Sequence, residues 1–405
     1  MNCRATVSYT LGDMVELSQG LAINIKTKYL LEDTGLPLLR IADLISRQYC
    51  QFVNPKLAPK KCLAEKGDLI YTRTGQVGLI FRDQAGVIHN NSFKIIPDEK
   101  IIKKDFLYWF LSQAKIKKLA NDIASGSVQK DLNHSAFKSI PIDVPDFNIQ
   151  DRAIKTLDSL EKKIAVNRQT NQTLELMAQA IFKSWFVDFD PVKAKMNGEQ
   201  PEGMDAATAS LFPEKLVESE LGLIPKGWEP KQLKEVLELA YGKALKKTDR
   251  VAGDVPVYGS GGLTGYHNQS LIEGPGIIVG RKGTVGSVYW EPKAFYPIDT
   301  VFYVKPKTGY SLKYCHLVLQ NLGLKDMNTD AAVPGLNRNN AYRLDVITPS
   351  EPVLKKFEEM MQSFQSKVDS NNAQNASLES LRDTLLPKLL SGEIELNKVN
   401  LCQNL

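Results

Sequence analysis

The sequence predicts an α+β protein: two pseudo-repeated mixed α/β domains separated by a pair of long antiparallel helices. Two observations carry this expectation. The chain repeats itself once, and each repeat ends in a long stretch with helical apolar spacing. A length of 405 residues is also too great for one ordinary core.

The repeat is clearest where DLIYTRTGQVG (68–78) lies on GIIVGRKGTVG (276–286). Arg73, Gly75, Val77 and Gly78 fall on Arg281, Gly283, Val285 and Gly286. Upstream, TLGDMVELSQG (10–20) lies on QLKEVLELAYG (232–242). Downstream, Leu132-Asn133 falls on Leu336-Asn337, and SIPIDVP (139–145) on RLDVITP (343–349). The offset drifts early in each repeat and then locks, so length variation is concentrated in loops carried on a fixed frame.

Taken in order, residues 1–150 form the first mixed domain. GDLIYTR (67–73), GLIF (78–81) and SFKIIP (92–97) are its β-rich runs, and one amphipathic helix is expected at about 105–121. Residues 151–189 form the first long helix. Its seam is Leu157, Leu160, Ile164, Asn167, Asn171, Leu174 and Ile181, spaced alternately by three and four. Residues 190–228, rich in Pro, Gly and acidic groups, read as a connector. Residues 229–350 form the second mixed domain and 351–395 the second long helix, with a polar tail at 396–405. The second seam is Met361, Phe364, Val368, Asn371, Asn375, Leu378 and Leu385. Some 35 helical residues would span roughly 50 Å. One such seam fits a helix lying on its own domain's core. Two in register, with coincident Asn pairs, point to pairing with each other, because buried Asn costs stability yet fixes register. An antiparallel pair would relate the halves by a pseudo-twofold axis.

Composition narrows the class. Hydrophobic residues at 43% and charged residues at 24% exclude wholesale disorder, collagen and a disulfide scaffold. No window is apolar enough for a membrane span, and MNCRATVSYTLGDMVELSQG lacks the order of a signal peptide. Five scattered cysteines without a CxxC pair suit a reducing cytoplasm and argue against a zinc ribbon. The net charge of +5 permits an anionic partner without demanding one.

Catalytic signatures are missing. There is no GxxxxGK[ST], and no NPPY or DPPY to grip a flipped adenine. VYGSGGLTG (257–265) is followed by turns and strand rather than a helix, so it reads as a tight β-turn. Pro145-Asp146 with Glu161 and Lys163 spells a nuclease-like PD…ExK, but Glu161 and Lys163 flank seam residues on a helix, where carboxylates cannot converge on Mg2+ from adjacent strands. Four histidines without HxxxH spacing suggest no metal centre.

What remains is glycine-bounded polar loops at matching points of both repeats. The first repeat offers Arg73, Thr74 and Gln76, then Asn90 and Asn91, then Ser127, Gln129 and Lys130. The second offers Lys246 and Lys247, His267 and Asn268, Arg281, Lys282 and Thr284, then Asn337, Arg338 and Asn339. Arg and Lys bond guanine edges, Asn and Gln bond adenine edges, and Ser/Thr and amides at glycine turns suit phosphates. These are the candidate DNA-binding residues. For the two arginines the alternatives are phosphate positioning or an intradomain salt bridge.

Longer stretches resemble one family. AIFKSWFVDFDPVKAKMNGEQPEGMDAATASLFP (180–213), SELGLIPKGW (219–228) and LRDTLLPKLLSGEIEL (381–396) are similar to the specificity (S) subunits of type I restriction–modification systems (the HsdS family), as are GDLIYTRTGQVG and PVYGSGGLTGYHN. The resemblance spans essentially the whole chain. It implies a non-catalytic, cytoplasmic prokaryotic subunit whose two target recognition domains each read half of a bipartite, asymmetric sequence in double-stranded DNA. The long helices would act as a ruler and dock two methyltransferase (M) subunits, with endonuclease/translocase (R) subunits joining that core. S-adenosylmethionine, ATP and Mg2+ would belong to those partners, with no cofactor bound by this chain. GSVQKDLN (126–133) against AAVPGLN (331–337) implies different half-sites. Other readings of the pattern are a protein-only scaffold or an antirestriction decoy without its own sequence-specific role. Exposed seam flanks also predict self-association of the isolated chain.

Overall fold

The computed structural model describes residues 6–327 and 335–394. The expected tail at 396–405 and residues 331–334 lie outside the described residues. The chain divides into two compact units, one Met1–Asn167 with Asn372–Leu405, the other Arg168–Asn371. Among the described residues no helix is long and apolar enough to cross a membrane.

The first unit is built on a four-stranded antiparallel sheet in the order Val15–Gln19, Ser92–Pro97, Leu69–Thr72, Ile80–Phe81. The Leu69–Thr72 strand is apolar rather than alternating because both its faces are covered. Leu69 and Tyr71 pack with Phe93, Phe106 and Phe137 on one side, and Ile70 packs with Leu39, Leu44 and Ile88 on the other. A five-stranded sheet of short strands, with Leu38, Val53 and Val87 buried, covers that second side. A ribbon pairs Val7–Thr10 with Pro141–Val144. The single helix expected at 105–121 is two, Lys104–Leu111 and Ala114–Ile123. They part where Ser112 Oγ donates to the Tyr108 carbonyl (2.7 Å) and Gln113 Nε2 to that of Phe110 (3.1 Å). Both side chains compete with the helix for those carbonyls.

The second unit repeats this frame. Its four-stranded sheet runs Leu237–Tyr241, Val301–Pro306, Gly276–Gly280, Val288–Glu291, and its ribbon pairs Glu229–Gln232 with Asp345–Thr348. The Gly276–Gly280 strand is again covered on both faces, by Ile277 and Val279 in the main core and by Ile278 against Phe295 and Val301. The second sheet is where the repeats diverge. Here it has three strands, Gly262–His267, Val255–Gly259 and Tyr296–Pro297, and VYGSGGLTG is a hairpin as expected.

The long helices are Phe147–Phe186 and Glu351–Leu390. Within the first unit, Glu161 accepts from Arg382 (2.9 Å), and Asn167 Nδ2 donates to Gln374 Oε1 (2.7 Å) and Asn375 Oδ1 (2.9 Å). Partner numbers fall as the first helix rises, so the segments run antiparallel. Leu160 and Ile164 pack with Leu378 and Leu385, while Leu157 joins the main core with Leu386, Leu389 and Leu390. Within the second unit, Asn371 Nδ2 donates to Asn171 Oδ1 (2.8 Å), and Met361, with partly buried Ile181 and Phe364, enters the core around Phe182, Trp185 and Phe357. Leu174 and Val368 are half-buried. The nuclease-like pair has structural work. Asp146 Oδ1 caps the first long helix at the Asn148 and Ile149 amides (2.8 and 3.0 Å), and Glu161 is engaged by Arg382.

Residues 190–228 are packed rather than loose. Two short helices, Asp190–Met196 and Ala206–Ser210, and a hairpin of Leu216–Ser219 with Gly222–Pro225 occupy this stretch. Val192, Phe212 and Trp228 are buried against Trp185 and Phe186. The Pro, Gly and acidic residues of this connector are thus held by three large apolar side chains.

Candidate nucleic-acid interface

In the first unit the fold gathers three of the candidate clusters. The Arg73 amide donates to the Asn91 carbonyl (2.8 Å), the Gly75 amide to that of Lys130 (3.0 Å), and the Leu132 amide to that of Arg73 (2.9 Å). Gly75 has φ +82°, a region that favours glycine, so the turn after Arg73 depends on it. Gln76, Ser127, Gln129 and Lys130 are exposed around this point. Lys130 Nζ donates to the Asn121 carbonyl (2.8 Å), and the Asn90 carbonyl accepts from Gln19 Nε2 (3.0 Å).

Arg73 itself is taken up within the domain. Its Nε and Nη2 meet the two carboxylate oxygens of Asp131 (3.2 and 2.7 Å), and Nη1 donates to Gln19 Oε1 (3.1 Å). Thr74 Oγ1 donates to the same carboxylate (2.6 Å). The bonds from Arg73, then from Thr74, hold the Asp131 carboxyl below its usual range. Of the alternatives left open for Arg73, this fork is the intradomain salt bridge.

The second unit places Arg281 on the same backbone frame. The Arg281 and Lys282 amides donate to the Thr300 carbonyl (3.0 and 3.1 Å), and the Leu336 amide donates to Arg281 (2.8 Å). The side-chain surroundings are different. The position of Gln19 is held by Tyr241 and that of Asp131 by Gly335. The Arg281 guanidinium lies 4.8 Å from the Tyr241 ring centroid and donates to the Asp299 carbonyl (3.1 Å). Arg338 lies 4.7 Å from the same ring. Among the described residues neither arginine forms an ion pair. Lys282 and Thr284 are exposed on this turn, and Ser260 Oγ donates to the Lys282 carbonyl.

The remaining candidates divide. Lys246 and Lys247 lie on an exposed 3-10 turn. His267 is corrected as a base contact: it is buried, and its Nδ1 accepts from the Val251 amide (3.1 Å). Its neighbour Asn268 is exposed. Asn337 is also engaged, its Oδ1 capping Arg338–Tyr342 by accepting from the amides of Asn339 and Asn340 (2.9 and 3.3 Å). Asn339 is exposed and Asn91 half-buried. Asp131, Gln19 and Tyr241 were missed. The only signal for them was the repeat itself, which sets Gln19 against Tyr241.

Two copies of one sheet-and-loop frame, each presenting polar glycine turns with different linings, define a tandem recognition protein. The model of the type I restriction modification DNA specificity domain matches residues 6–176 and again 225–380, and the chain belongs to this family. It is 27% identical to the type I restriction enzyme HindI specificity subunit of Haemophilus influenzae, over 95% of this chain and 99% of that one. Identity to the MjaIX specificity subunit of Methanocaldococcus jannaschii is 23%, over 84% and 82%. The fold is similar to the crystal structure of a type I S subunit from M. genitalium, with a TM-score of 0.51 at 17% identity, covering 96% of this chain and 97% of that one.

Proposed function

We propose that this specificity subunit reads a bipartite, asymmetric sequence in double-stranded DNA, one half-site per repeat. The observation that carries this is the pair of equivalent turns at Arg73 and Arg281, which share the backbone bonds that position the two arginines and differ in side-chain lining. A shared frame with unlike linings is what reading two unlike half-sites requires, because base edges discriminate by roughly 1–3 kcal/mol per good contact. The chain supplies recognition, not chemistry. Two adenine-N6 methyltransferase subunits would dock on it and supply S-adenosylmethionine chemistry, and ATP- and Mg2+-dependent endonuclease/translocase subunits would join them. The long helices, stiffened by their Asn pairs, set the spacing between half-sites. The exposed loop residues Gln76, Gln129, Lys282 and Asn339 are the candidate base contacts. The intracellular setting of such a system is the cytoplasm.

The test is methylome sequencing of a host expressing this chain with and without its methyltransferase partner. A split, asymmetric N6-methyladenine motif that needs both proteins is the expected result. No new motif, with both proteins soluble and associated, would overturn the reading in favour of a scaffold or decoy.

A further inference from the structure

We propose that Tyr241, Arg281 and Arg338 form a clamp for a backbone phosphate of DNA in the second unit, a role that Arg73 does not share in the first. The proposal rests on the DNA-recognition reading and assigns it a specific contact. Two guanidinium groups converge on one ring, at 4.8 and 4.7 Å from its centroid, and Tyr241 is 47% exposed. Flanking rings extend the support: Phe302 lies 5.8 Å from Arg281 and Tyr342 5.8 Å from Arg338. Stacking orients each guanidinium plane and leaves N–H donors at its edge. Arg338 Nε is buried without a hydrogen-bond partner, and among the described residues the side-chain hydrogen bond from Arg281 goes to a neutral carbonyl.

The charge arrangement selects the ligand. Two like charges gathered on one ring, with no carboxylate paired to either among the described residues, favour the arrival of an anion. A base edge offers partial charge only, whereas a phosphate offers a full one and accepts from two arginines at once. The first unit shows the contrast. At the equivalent point Asp131 neutralises Arg73 and Gln19 replaces the ring, so that arginine holds a loop instead of waiting for an anion. DNA backbone affinity is therefore placed asymmetrically, with the second unit gripping more strongly.

The experiment uses the assembled complex with its methyltransferase and measures duplex binding across a salt series. One duplex carries the motif found by methylome sequencing and the other a scrambled sequence. Arg281→Ala and Arg338→Ala should each weaken binding about three- to tenfold on both duplexes and lower the salt slope by about one. Tyr241→Ala should weaken both, Tyr241→Phe neither, and Arg73→Ala should leave the salt slope unchanged. Arg281→Lys, which keeps the charge, preserves the salt slope and controls for folding. Unchanged binding in both arginine variants would overturn the clamp, as would a loss confined to the motif duplex, which would make these arginines base contacts. The binding measured on scrambled DNA judges the clamp, while failure of the wild-type complex to prefer its motif would count against the recognition reading alone.

Discussion

Arg73 and Arg281 occupy the same place in two copies of one frame, yet their surroundings are opposite. Arg73 is forked onto Asp131 and bonded to Gln19, while Arg281 lies over Tyr241 beside a second arginine. The backbone bonds that position them are the same to within a few tenths of an ångström. Duplicated recognition units can therefore diverge by exchanging two side chains that are remote in sequence from the arginine, with no change in the strand that carries it. The lining changes sign while the frame stays constant.

The sharpest way to test that constancy is to damage both frames equally. Phe106 and Tyr314 are wholly buried at matching points. Phe106→Ala and Tyr314→Ala should each cost about 3–5 kcal/mol in chemical denaturation. A much smaller loss in one unit would show that the two frames are not energetically equivalent.

A second test concerns a difference between the cores. In the first unit Arg82 stacks on Tyr108 at 4.1 Å. In the second, the matching pair is Trp290 and His316, with ring centroids 5.5 Å apart. Burial, then the charge of Lys313, pushes the His316 pKa down to about 4. The unfolded chain binds the proton more readily, so stability from this site is full above the unfolded value near 6.5 and falls as pH drops toward 4. The loss should reach at most about 3 kcal/mol. Thermal unfolding from pH 4 to 7 should show a slope that His316→Leu reduces.

Smaller effects come from exchanging the linings. Gly335→Asp places a carboxylate opposite Arg281, as Asp131 stands to Arg73, and should weaken DNA binding by the complex about three- to tenfold. Unchanged binding would mean that Arg281 is already neutral in effect. In the first unit, Asp131→Asn should cost about 1 kcal/mol at neutral pH, since the pair is partly exposed. Because the folded Asp131 carboxyl titrates below its usual range, that contribution is present above about pH 4 and lost at lower pH. Equal stability of the variant and the parent at pH 7 would break the idea that Asp131 locks the loop.

Much of this was legible in the sequence because periodicity and repetition are local signals. The Arg73 and Arg281 turns were visible from their glycines, and the Asn seams from their spacing. The partners of the arginines were not, because Asp131 lies 58 residues from Arg73 and Tyr241 reaches Arg281 only through strand pairing. Burial of His267 was hidden for the same reason: its hydrogen bond to Val251 depends on a return of the chain. The packing of the connector, 190–228, was not legible because composition records average polarity, whereas a few large apolar anchors decide whether a segment packs.

The Leu157 core has a consequence for how the protein is made. Leu157 shares its cluster with Leu386, Leu389 and Leu390. A ribosome that has just added Leu157 must add about 230 more residues before those leucines exist, which takes roughly 10–50 s at ordinary synthesis rates. The first unit, although first to emerge, is the last to be sealed. During that interval it carries an uncovered apolar strip, which only the end of the second long helix covers.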